Sequence, residues 1–280
     1  MITVESRLFA QRSLQVWFPE CPDEVSAALT RAPLVDVMQC SAAVAQAAAK
    51  WAWRTRAFHT SLIDLTVGED KLWEGLEKKT CRYQINKAKK LAGVEVTVNQ
   101  DADAAYALIS DFIARTSFRA PIPADEWQRI LASNDIFVAK HEGRALAAHA
   151  ILADGTRRAR ALISATADRG ASTDRNLVSA LNRWLHWNEL KHYSARGVQW
   201  YDFGGLELDE QAPEWSISQF KLTFGGQVVT QHIVRCARNP LLRAALRGSC
   251  AWRRIMTGKR GAKPGASPEK SAEKAAAHAA

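Results

Sequence analysis

The chain has 280 residues, 47% of them hydrophobic, and a formal net charge of +9. This length allows one large domain or two small ones, and the positive charge favours anionic partners such as phosphorylated ligands, nucleic acid or acidic membrane surfaces. The five cysteines are odd in number and lack a C-x-x-C spacing, which argues against a disulfide framework or a cysteine zinc site and favours a reducing cytoplasm. No window reaches the roughly 18 apolar residues of a membrane span.

The first part of the chain is predicted to alternate short strands and helices. Strands are expected at 8–18 and 34–38, with a helix at 23–30 between them and an alanine-rich soluble helix within 41–53. The segment SLIDL then predicts a strand, and Thr66 with Glu69 has the spacing of a capping box. We therefore expect a helix to about Leu91, closed by Gly93, and a strand at VEVTV.

This predicted helix, residues 69–91, has a basic outer face. Its apolar residues keep helical spacing, so basic residues dominate the other side: Lys71, Lys78, Lys79, Arg82, Lys87, Lys89 and Lys90. One interpretation is an ordinary solvated face. The other is a platform for phosphates, in which Arg82 is the substrate contact because its fork suits phosphate geometry.

Two helices and a three-stranded meander are predicted in the middle of the chain. The helices at 103–116 and 124–133 are separated by a loop with two prolines. Turn signals at His141-Glu142-Gly143 and Asp154-Gly155 then predict three adjacent antiparallel strands, at 136–140, 144–153 and 157–165.

A long helix at about 174–195 follows the meander and leads into another strand. Strand, helix and strand in this order predict a crossover on a mixed sheet, and the N-terminus of the helix directs free backbone N–H groups outward. Arg169, Arg175 and Asn176 are therefore predicted to bind the anionic part of a cofactor. Ordinary helix capping is the alternative.

The stretch from Gly197 to Gly226 carries the strongest functional signal. It predicts a strand over 198–203, with Asp202 and Tyr201 on opposite faces, and Gly204 and Gly205 at its end leave room for a backbone or a ligand. The next helix is predicted to begin at a capping box of Ser216 and Gln219 and to bury a stripe of Ile217, Phe220 and Phe224. Lys221 lies beside this stripe, so it either pairs with Asp202 or awaits an anionic ligand.

The chain is predicted to end with a strand, a basic helix and a tail. The strand covers 227–235, and a helix with leucines on one side and arginines on the other begins at Pro240. This helix either packs onto the domain or lies on an anionic bilayer. The residues beyond Thr257 lack apolar periodicity and are predicted to be disordered.

Three segments resemble Fem-type and related acetyltransferase-like members of the GNAT superfamily: LWEGLEKKTCRYQINKAKKLAGVEV, GVQWYDFGG and SQFKLTFGG. These proteins transfer aminoacyl groups from aminoacyl-tRNA to peptidoglycan precursors, or acyl groups from acyl-CoA to other amines and sugars. The resemblance covers roughly 61–234 and implies an α+β fold, a mixed, mostly antiparallel sheet with flanking helices. It divides the chain into an N-terminal part (1–120, one interpretation being a reduced GNAT-like half), a GNAT-like acyltransferase domain (121–236), a basic amphipathic helix (237–257) and a disordered tail (258–280).

The resemblance also implies roles for individual residues. Lys221 would steady the negative charge that develops during acyl transfer, with Phe220 beside it at the cofactor, and Asp202 to Gly205 would line the same cleft. The acyl-CoA signature of GNAT proteins has no clean match at 169–174, so acyl-CoA and aminoacyl-tRNA both stay open as donors.

The chemistry itself narrows the remaining roles. Acyl transfer to an amine needs an oxyanion donor and a route for the amine proton, but neither a metal nor a protein nucleophile. The histidines show no metal-ligand spacing along the sequence, so no metal is predicted. Asp202 or Tyr201 is predicted to orient the acceptor or take its proton, and only one of them can face the reacting centre.

The sequence therefore predicts a metal-independent acyltransferase that acts on an amine or hydroxyl of a cell-envelope sugar or peptide precursor. The acceptor would be phosphorylated or lipid-linked and would contact Arg82, Gly204, Gly205 and Glu214, with tRNA as a further partner. The protein would be cytoplasmic, touching the inner face of the membrane through 240–256. The alternative is a non-catalytic basic protein that binds nucleic acid or an anionic membrane.

Overall fold

The computed structural model describes residues 1–8, 11–116, 119–168 and 174–256, without the side chains of 7–8 and 249–256. The strands are β1 (Ile2–Leu8), β2 (Gln11–Trp17), β3 (Leu34–Cys40), β4 (Ala52–Asp64), β5 (Val94–Val98), β6 (Asn134–His141), β7 (Arg144–Asp154), β8 (Arg158–Thr166), β9 (Trp200–Gly205) and β10 (Gln227–Ala237). The helices are α1 (Pro22–Arg31), α2 (Ala42–Ala48), α3 (Glu69–Gly75), α4 (Tyr83–Lys89), α5 (Ala102–Thr116), α6 (Ala124–Ser133), α7 (Arg175–Ala195), α8 (Trp215–Leu222) and α9 (Pro240–Met256).

The chain forms two compact units, each made of segments that are separated in the sequence. The larger unit comprises Ala57–His232 together with Met1–Ile2. The smaller unit comprises Thr3–Arg56 together with the described residues from Ile233 onward. Strands β4 and β10 each contribute residues to both units.

The larger unit contains the strand order β4-β9-β8-β7-β6-β5. The pairs β4–β9, β5–β6, β6–β7 and β7–β8 are antiparallel, whereas β8 and β9 are parallel. Helix α7 makes the crossover that this parallel pair requires. The predicted α+β class, with a mostly antiparallel sheet flanked by helices, is confirmed, and so is the three-stranded meander.

The two faces of this sheet are covered by different helices. Alternate residues of β6 point to opposite faces, so Phe137 joins a core with residues of α7 such as Leu181 and Leu185, while Ile136 joins one with Ile109 of α5. All five side chains are at most 2% exposed. Full burial of each stabilises the fold by about 1.5–3 kcal/mol.

The predicted helix over 69–91 is divided in the structure. Helix α3 ends at Gly75, and Leu76 has an extended backbone. Glu77 then begins a π-helical turn (Lys78–Arg82) because its carboxylate accepts the backbone N–H groups of Lys79 and Thr80 at 2.7 and 2.6 Å. These bonds satisfy donors that would otherwise continue the first helix, so the chain restarts in a new direction before α4.

Both predicted capping boxes are replaced by other contacts. Thr66 lies in a 3₁₀ turn that Asp64 caps, and Gly68, with a φ of 87°, precedes α3. Helix α8 begins at Trp215, one residue before the predicted cap Ser216. Ser218 is the buried serine there, because its hydroxyl accepts the N–H of Glu207 at 2.7 Å.

The buried stripe of α8 is shorter than predicted. Phe224 is 2% exposed and Phe220 is partly buried, whereas Ile217 is 48% exposed. The start of the helix at Trp215 turns Ser218, rather than Ile217, toward the interior.

Gly225 closes α8 in a conformation that only glycine adopts easily. Its φ is 78°, and a Cβ atom at this position would clash with the carbonyl oxygen of Gly75. We expect Gly225→Ala to lower the free energy of unfolding by about 3 kcal/mol, from left-handed strain and overpacking together. Urea unfolding measures this.

The control is Gly143→Ala, at a φ of 77° with no atom within 4 Å of the added Cβ. It isolates the conformational cost, about 1–2 kcal/mol. Equal losses in the two variants would show that the contact with Gly75 contributes nothing.

The smaller unit contains the strand order β1-β2-β3-β10-β4, with β2 and β3 parallel. In α9, Leu246 is buried and Leu242 partly buried against Leu34 and Trp53, while Leu241 is 79% exposed. Leu242 and Leu246 therefore pack onto the unit, as one of the two interpretations of the sequence of this helix expects. Among the described residues, no helix has the length and apolar content needed to cross a bilayer. The tail predicted at 258–280 lies outside the described residues.

Candidate active site

The candidate site lies where the two parallel strands β8 and β9 separate. Their pairing runs from Arg158 opposite Trp200 to Arg160 opposite Asp202. Beyond this point β8 continues to Thr166 beside β7, and the end of β9 pairs with β4. Ligands in sheets with parallel strands commonly bind outside the carboxyl ends of those strands, where neighbouring connections diverge. A ligand is therefore expected to bind at the carboxyl end of β9.

Asp202 anchors this strand end from within the protein. Its side chain is 0% exposed, and it accepts hydrogen bonds from Arg158, Thr60 and the backbone N–H of Gly204, the last at 2.7 Å. Burial alone would raise its pKa, but Arg158, Arg160 and these hydrogen bonds outweigh burial and lower it. Asp202 is therefore an anion at pH 7 that pairs with Arg158 and acts on Arg160 through its charge.

This arrangement bears on two questions that the sequence left open. Asp202 pairs with Arg158, and Lys221 donates to a different acceptor, so the alternative of an Asp202–Lys221 salt bridge is wrong. A carboxylate with a lowered pKa and three donors is a poor proton acceptor, which favours a positioning role for Asp202, and its role in taking the amine proton stays a prediction.

Lys221 is held at the end of β9. Its Nζ donates to the carbonyl oxygen of Gly205 at 2.5 Å, and its side chain is partly exposed. Burial and then the positive charge of Arg160 lower the pKa of Lys221 to about 8, although Asp202 opposes them. At pH 7 the group is therefore mainly an ammonium, but it loses its proton more readily than an ordinary lysine.

The glycine pair at the end of β9 allows a close approach between backbone groups. Gly204 has a φ of 74°, and a Cβ atom there would lie 3.2 Å from the carbonyl oxygen of Ala161 and 3.2 Å from the guanidinium of Arg160. A side chain at Gly204 would therefore disturb the arginine that lowers the pKa of Lys221. Gly205 contributes the carbonyl oxygen that Lys221 contacts.

A second polar cluster lies on the other face of β9. Glu189 of α7 is 0% exposed and contacts Nδ1 of His149 at 2.5 Å, Nδ1 of His186 at 2.8 Å and the hydroxyl of Tyr201. The second ring nitrogen of His149 lies 2.9 Å from the side-chain oxygen of Asn182. Both ring nitrogens of His149 thus lie within hydrogen-bonding distance of oxygen atoms, so the ring links β7 to Glu189 and Asn182 of α7.

The electrostatics of this cluster follow from complete burial. Burial would raise the pKa of Glu189, but His149 and His186 outweigh it and the pKa is lowered. Burial, reinforced by His149, lowers the pKa of His186 to about 4. The cluster therefore contains an ionised Glu189 and a neutral His186 at pH 7.

The same three residues are of a type that binds metal ions. One ligand atom from each of His149, His186 and Glu189 lies within 4.8 Å of the others. In this structure the two Nδ1 atoms already donate to the carboxylate, so these groups satisfy one another. The sequence prediction of no metal rested on the spacing of the histidines alone and did not consider Glu189.

Tyr201 belongs to this second cluster. Its hydroxyl donates to Glu189, and burial followed by the charge of Glu189 raises its pKa well above the ordinary value. The hydroxyl is therefore protonated at physiological pH and bonded to Glu189, and the role of Tyr201 in orienting the acceptor or taking its proton stays a prediction. The prediction that Tyr201 and Asp202 lie on opposite faces of the strand is confirmed by their separate contacts.

Two of the other predicted site residues pack near α7 and α8. Phe220 lies against His186 and Phe224, with ring centroids 5.8 and 5.5 Å apart, and the Arg183 guanidinium lies 4.7 Å from its ring. Glu214 is exposed at the residue before α8. Phe220 thus joins the Lys221 helix to the histidine cluster.

Residues that were predicted to contact phosphate form hydrogen bonds with nearby groups of the protein. Arg82 donates from Nε to the carbonyl of Leu76 at 2.8 Å and from Nη2 to that of Glu74 at 3.1 Å. At the start of α7, Arg175 and Asn176 are exposed, and the N–H of Asn176 donates to the cap Asp174 at 2.8 Å. Capping is thus observed there, as the alternative expected. Arg169 lies outside the described residues.

Sequence reasoning missed the residues that support both clusters. Arg158, Arg160 and Thr60 carry no motif, and only strand pairing brings them to Asp202. For the second cluster a signal existed, because His186 and Glu189 are three residues apart on a buried helix face. The third member of the cluster, His149, could be identified only from the packing of β7 against α7.

Solved structures share this fold. FemX aligns with a TM-score of 0.63 at 11% identity, over 87% of this chain and 86% of that one. L-PGS from Bacillus licheniformis aligns with a TM-score of 0.56 at 12% identity, over 88% and 84%. A C-terminal domain from Agrobacterium fabrum, provisionally assigned to a lysylphosphatidylglycerol synthetase, gives 0.53 at 16% identity, over 89% and 84%. At these identities the likeness concerns the fold alone.

The parallel pair β8 and β9, which separates at its carboxyl end, and the crossover helix α7 define the class of this protein as a mixed α+β fold. Residues 77–221 match the family described as Acetyltransferase (GNAT) domain. This match spans more than half of the sequence, so the chain belongs to the GNAT acetyltransferase family, and the predicted GNAT-like fold is confirmed. Among curated proteins, none matches the chain.

Proposed function

We propose that this protein transfers an acyl or aminoacyl group to an amine or hydroxyl of a cell-envelope sugar or peptide precursor. The family supports acyl transfer in general. The observation that carries the proposal is the ammonium of Lys221, which the carbonyl of Gly205 holds at the point where β8 and β9 separate. A cation fixed in this way stabilises negative charge that develops beside it in the transition state.

In the proposed reaction the acceptor nitrogen bonds to the acyl carbon while the carbonyl electrons move onto oxygen. The Lys221 ammonium donates to that oxygen, and its lowered pKa gives a stronger hydrogen bond than an ordinary lysine offers. The carbonyl then reforms, the bond to the donor sulfur or oxygen breaks, and the amine proton leaves through solvent to the departing group. No step requires a protein nucleophile.

The surrounding residues keep this cation in place. The carbonyl of Gly205 limits the motion of Nζ, and Gly204 leaves space for Arg160 beside it. The buried negative charge of Asp202 in turn attracts Arg160. Such fixed charges act without reorganisation during the reaction, which is the main source of electrostatic catalysis.

The family favours acyl-CoA as the donor, and the likeness to FemX and L-PGS keeps aminoacyl-tRNA as the second candidate. For the acceptor we propose a phosphorylated or lipid-linked precursor, reached at the inner face of the membrane through α9. The amphipathic sequence of this helix and its exposed Leu241 support that location.

Donor transfer tests the proposal directly. The full chain is incubated with radiolabelled acetyl-CoA, longer acyl-CoAs or charged tRNA, with amino sugars and peptidoglycan peptides as acceptors. We expect labelled product with one donor class, and stabilisation of the fold by that donor in thermal unfolding. If no donor supports transfer or shifts the melting temperature, while tRNA or anionic vesicles bind, the protein is a non-catalytic anion binder.

A further inference from the structure

The smaller unit has a cleft lined by three arginines that acyl transfer does not use. Arg54 and Arg56 come from β4, Arg235 and Ile233 come from the neighbouring strand β10, and the cavity volume is about 260 Å³. Residues two apart on a strand point to the same face. Arg54 and Arg56 therefore share one face of β4 and meet Arg235 across the strand pair.

These guanidinium groups are held close enough to affect one another. Burial, followed by the positive charges of Arg54 and Arg235, lowers the pKa of Arg56. The carboxylate of Asp36 lies 3.6 Å from Nε of Arg235, and the Trp53 ring lies 5.5 Å from the same guanidinium. Asp36 thus offsets part of the charge of Arg235, Trp53 packs against its guanidinium, and the positive charge of Arg235 still acts on Arg56.

An anion in the cleft would relieve this repulsion. Guanidinium forks match the oxygen geometry of phosphate, and several of them can share one phosphoryl group. The volume is slightly below the range of about 300–1,000 Å³ that is usual for whole small-molecule ligands. It suits one phosphate or diphosphate group, with the rest of the ligand outside.

We propose that the cleft lined by Arg54, Arg56 and Arg235 binds the phosphate or diphosphate group of a small-molecule ligand. The proposal does not depend on acyl transfer, because binding is measured without turnover.

Calorimetric titration of the full chain with inorganic diphosphate at low ionic strength tests the site. We expect the double variant Arg54→Gln/Arg56→Gln to bind at least about tenfold more weakly than the unaltered protein, since two charge-assisted contacts are lost. Thermal unfolding verifies that both proteins are folded. Absence of diphosphate binding by the unaltered protein overturns the proposal.

The matched control is Arg12→Gln/Arg31→Gln, which removes the same charge from exposed positions of the same unit. We expect less than about threefold weakening, because screened surface charges act weakly at a distance. Equal weakening in the two double variants would attribute binding to net charge and overturn the site.

Two further measurements separate the cleft from other anion contacts. Asp36→Asn removes the carboxylate that competes for Arg235 and is expected to tighten diphosphate binding, and weaker or unchanged binding contradicts the proposal. Binding of the full chain to vesicles containing phosphatidic acid is measured in parallel. Binding to those vesicles without binding to diphosphate would assign the arginines to a lipid surface instead.

Discussion

Lys221→Ala is expected to lower kcat for acyl transfer about 10²–10³-fold, the usual cost of removing one oxyanion donor. The substitution removes a partly exposed side chain whose hydrogen bond goes to the backbone carbonyl of Gly205, so the fold should persist. KM for the donor should change little, because the interaction forms mainly in the transition state. Steady-state assays with the donor identified by transfer measure both constants.

The control for this substitution is Lys71→Ala. Lys71 is exposed and pairs with Glu74 on α3, so its removal should leave kcat within about twofold of the unaltered enzyme. An unchanged kcat in Lys221→Ala would remove this lysine from the mechanism.

The pH dependence distinguishes the two roles that a lysine with this pKa can have. The group is charged below about pH 8 and neutral above it. If the ammonium stabilises the oxyanion, kcat falls as pH rises through about 8, and Lys221→Arg keeps part of the activity while losing that fall. If neutral Lys221 instead took the acceptor's proton, kcat would rise through the same range and the arginine variant would be inactive.

The sequence predicted local features of the fold well, because their causes lie within a few residues. Asp154-Gly155 predicted the hairpin between β7 and β8, where Gly155 has a φ of 54°. The position of Lys221 beside a glycine-terminated strand was also readable, because helix α8 follows β9 closely in the chain.

The partners of the site could not be predicted in the same way. Arg158 and Asp202 are 44 residues apart, and His149 and Glu189 are 40 apart. Their contacts require the register of β8 against β9 and the packing of α7 on β7. Both depend on the side-chain packing of the whole core, which residues close in sequence do not determine. The predicted capping box at Ser216 is wrong for a related reason. The hydroxyl of Ser218 accepts the N–H of Glu207 across the loop, and the residue spacing within the helix does not predict this contact.

Glu189→Ala is expected to lower the free energy of unfolding by about 3–5 kcal/mol, the cost of removing one partner from a buried charged cluster. The substitution removes the acceptor that His149, His186 and Tyr201 share, and these three side chains are buried. Urea unfolding at pH 7 measures the loss.

Glu74→Ala is the matched control, because it removes an exposed carboxylate whose partner Lys71 is exposed as well, and we expect little or no change in the free energy of unfolding. Tyr201→Phe removes one donor and should fall between the two, at about 1.5–3 kcal/mol for a hydrogen bond to a charged group. A loss in Glu189→Ala no larger than in the control would show that the cluster does not stabilise the fold.

Acidification should weaken the same cluster before most carboxylates titrate. The pKa of His186 falls from about 6.5 to about 4 on folding, so between these values the unfolded chain binds a proton that the folded protein does not. Stability is therefore fully present above about pH 6.5 and declines toward pH 4. Glu189, whose pKa is also lowered, adds its own loss of stability only below about pH 4.5.

His186→Gln should flatten the decline in stability between pH 6.5 and 4, because glutamine does not titrate. An unchanged slope would assign the decline to other groups.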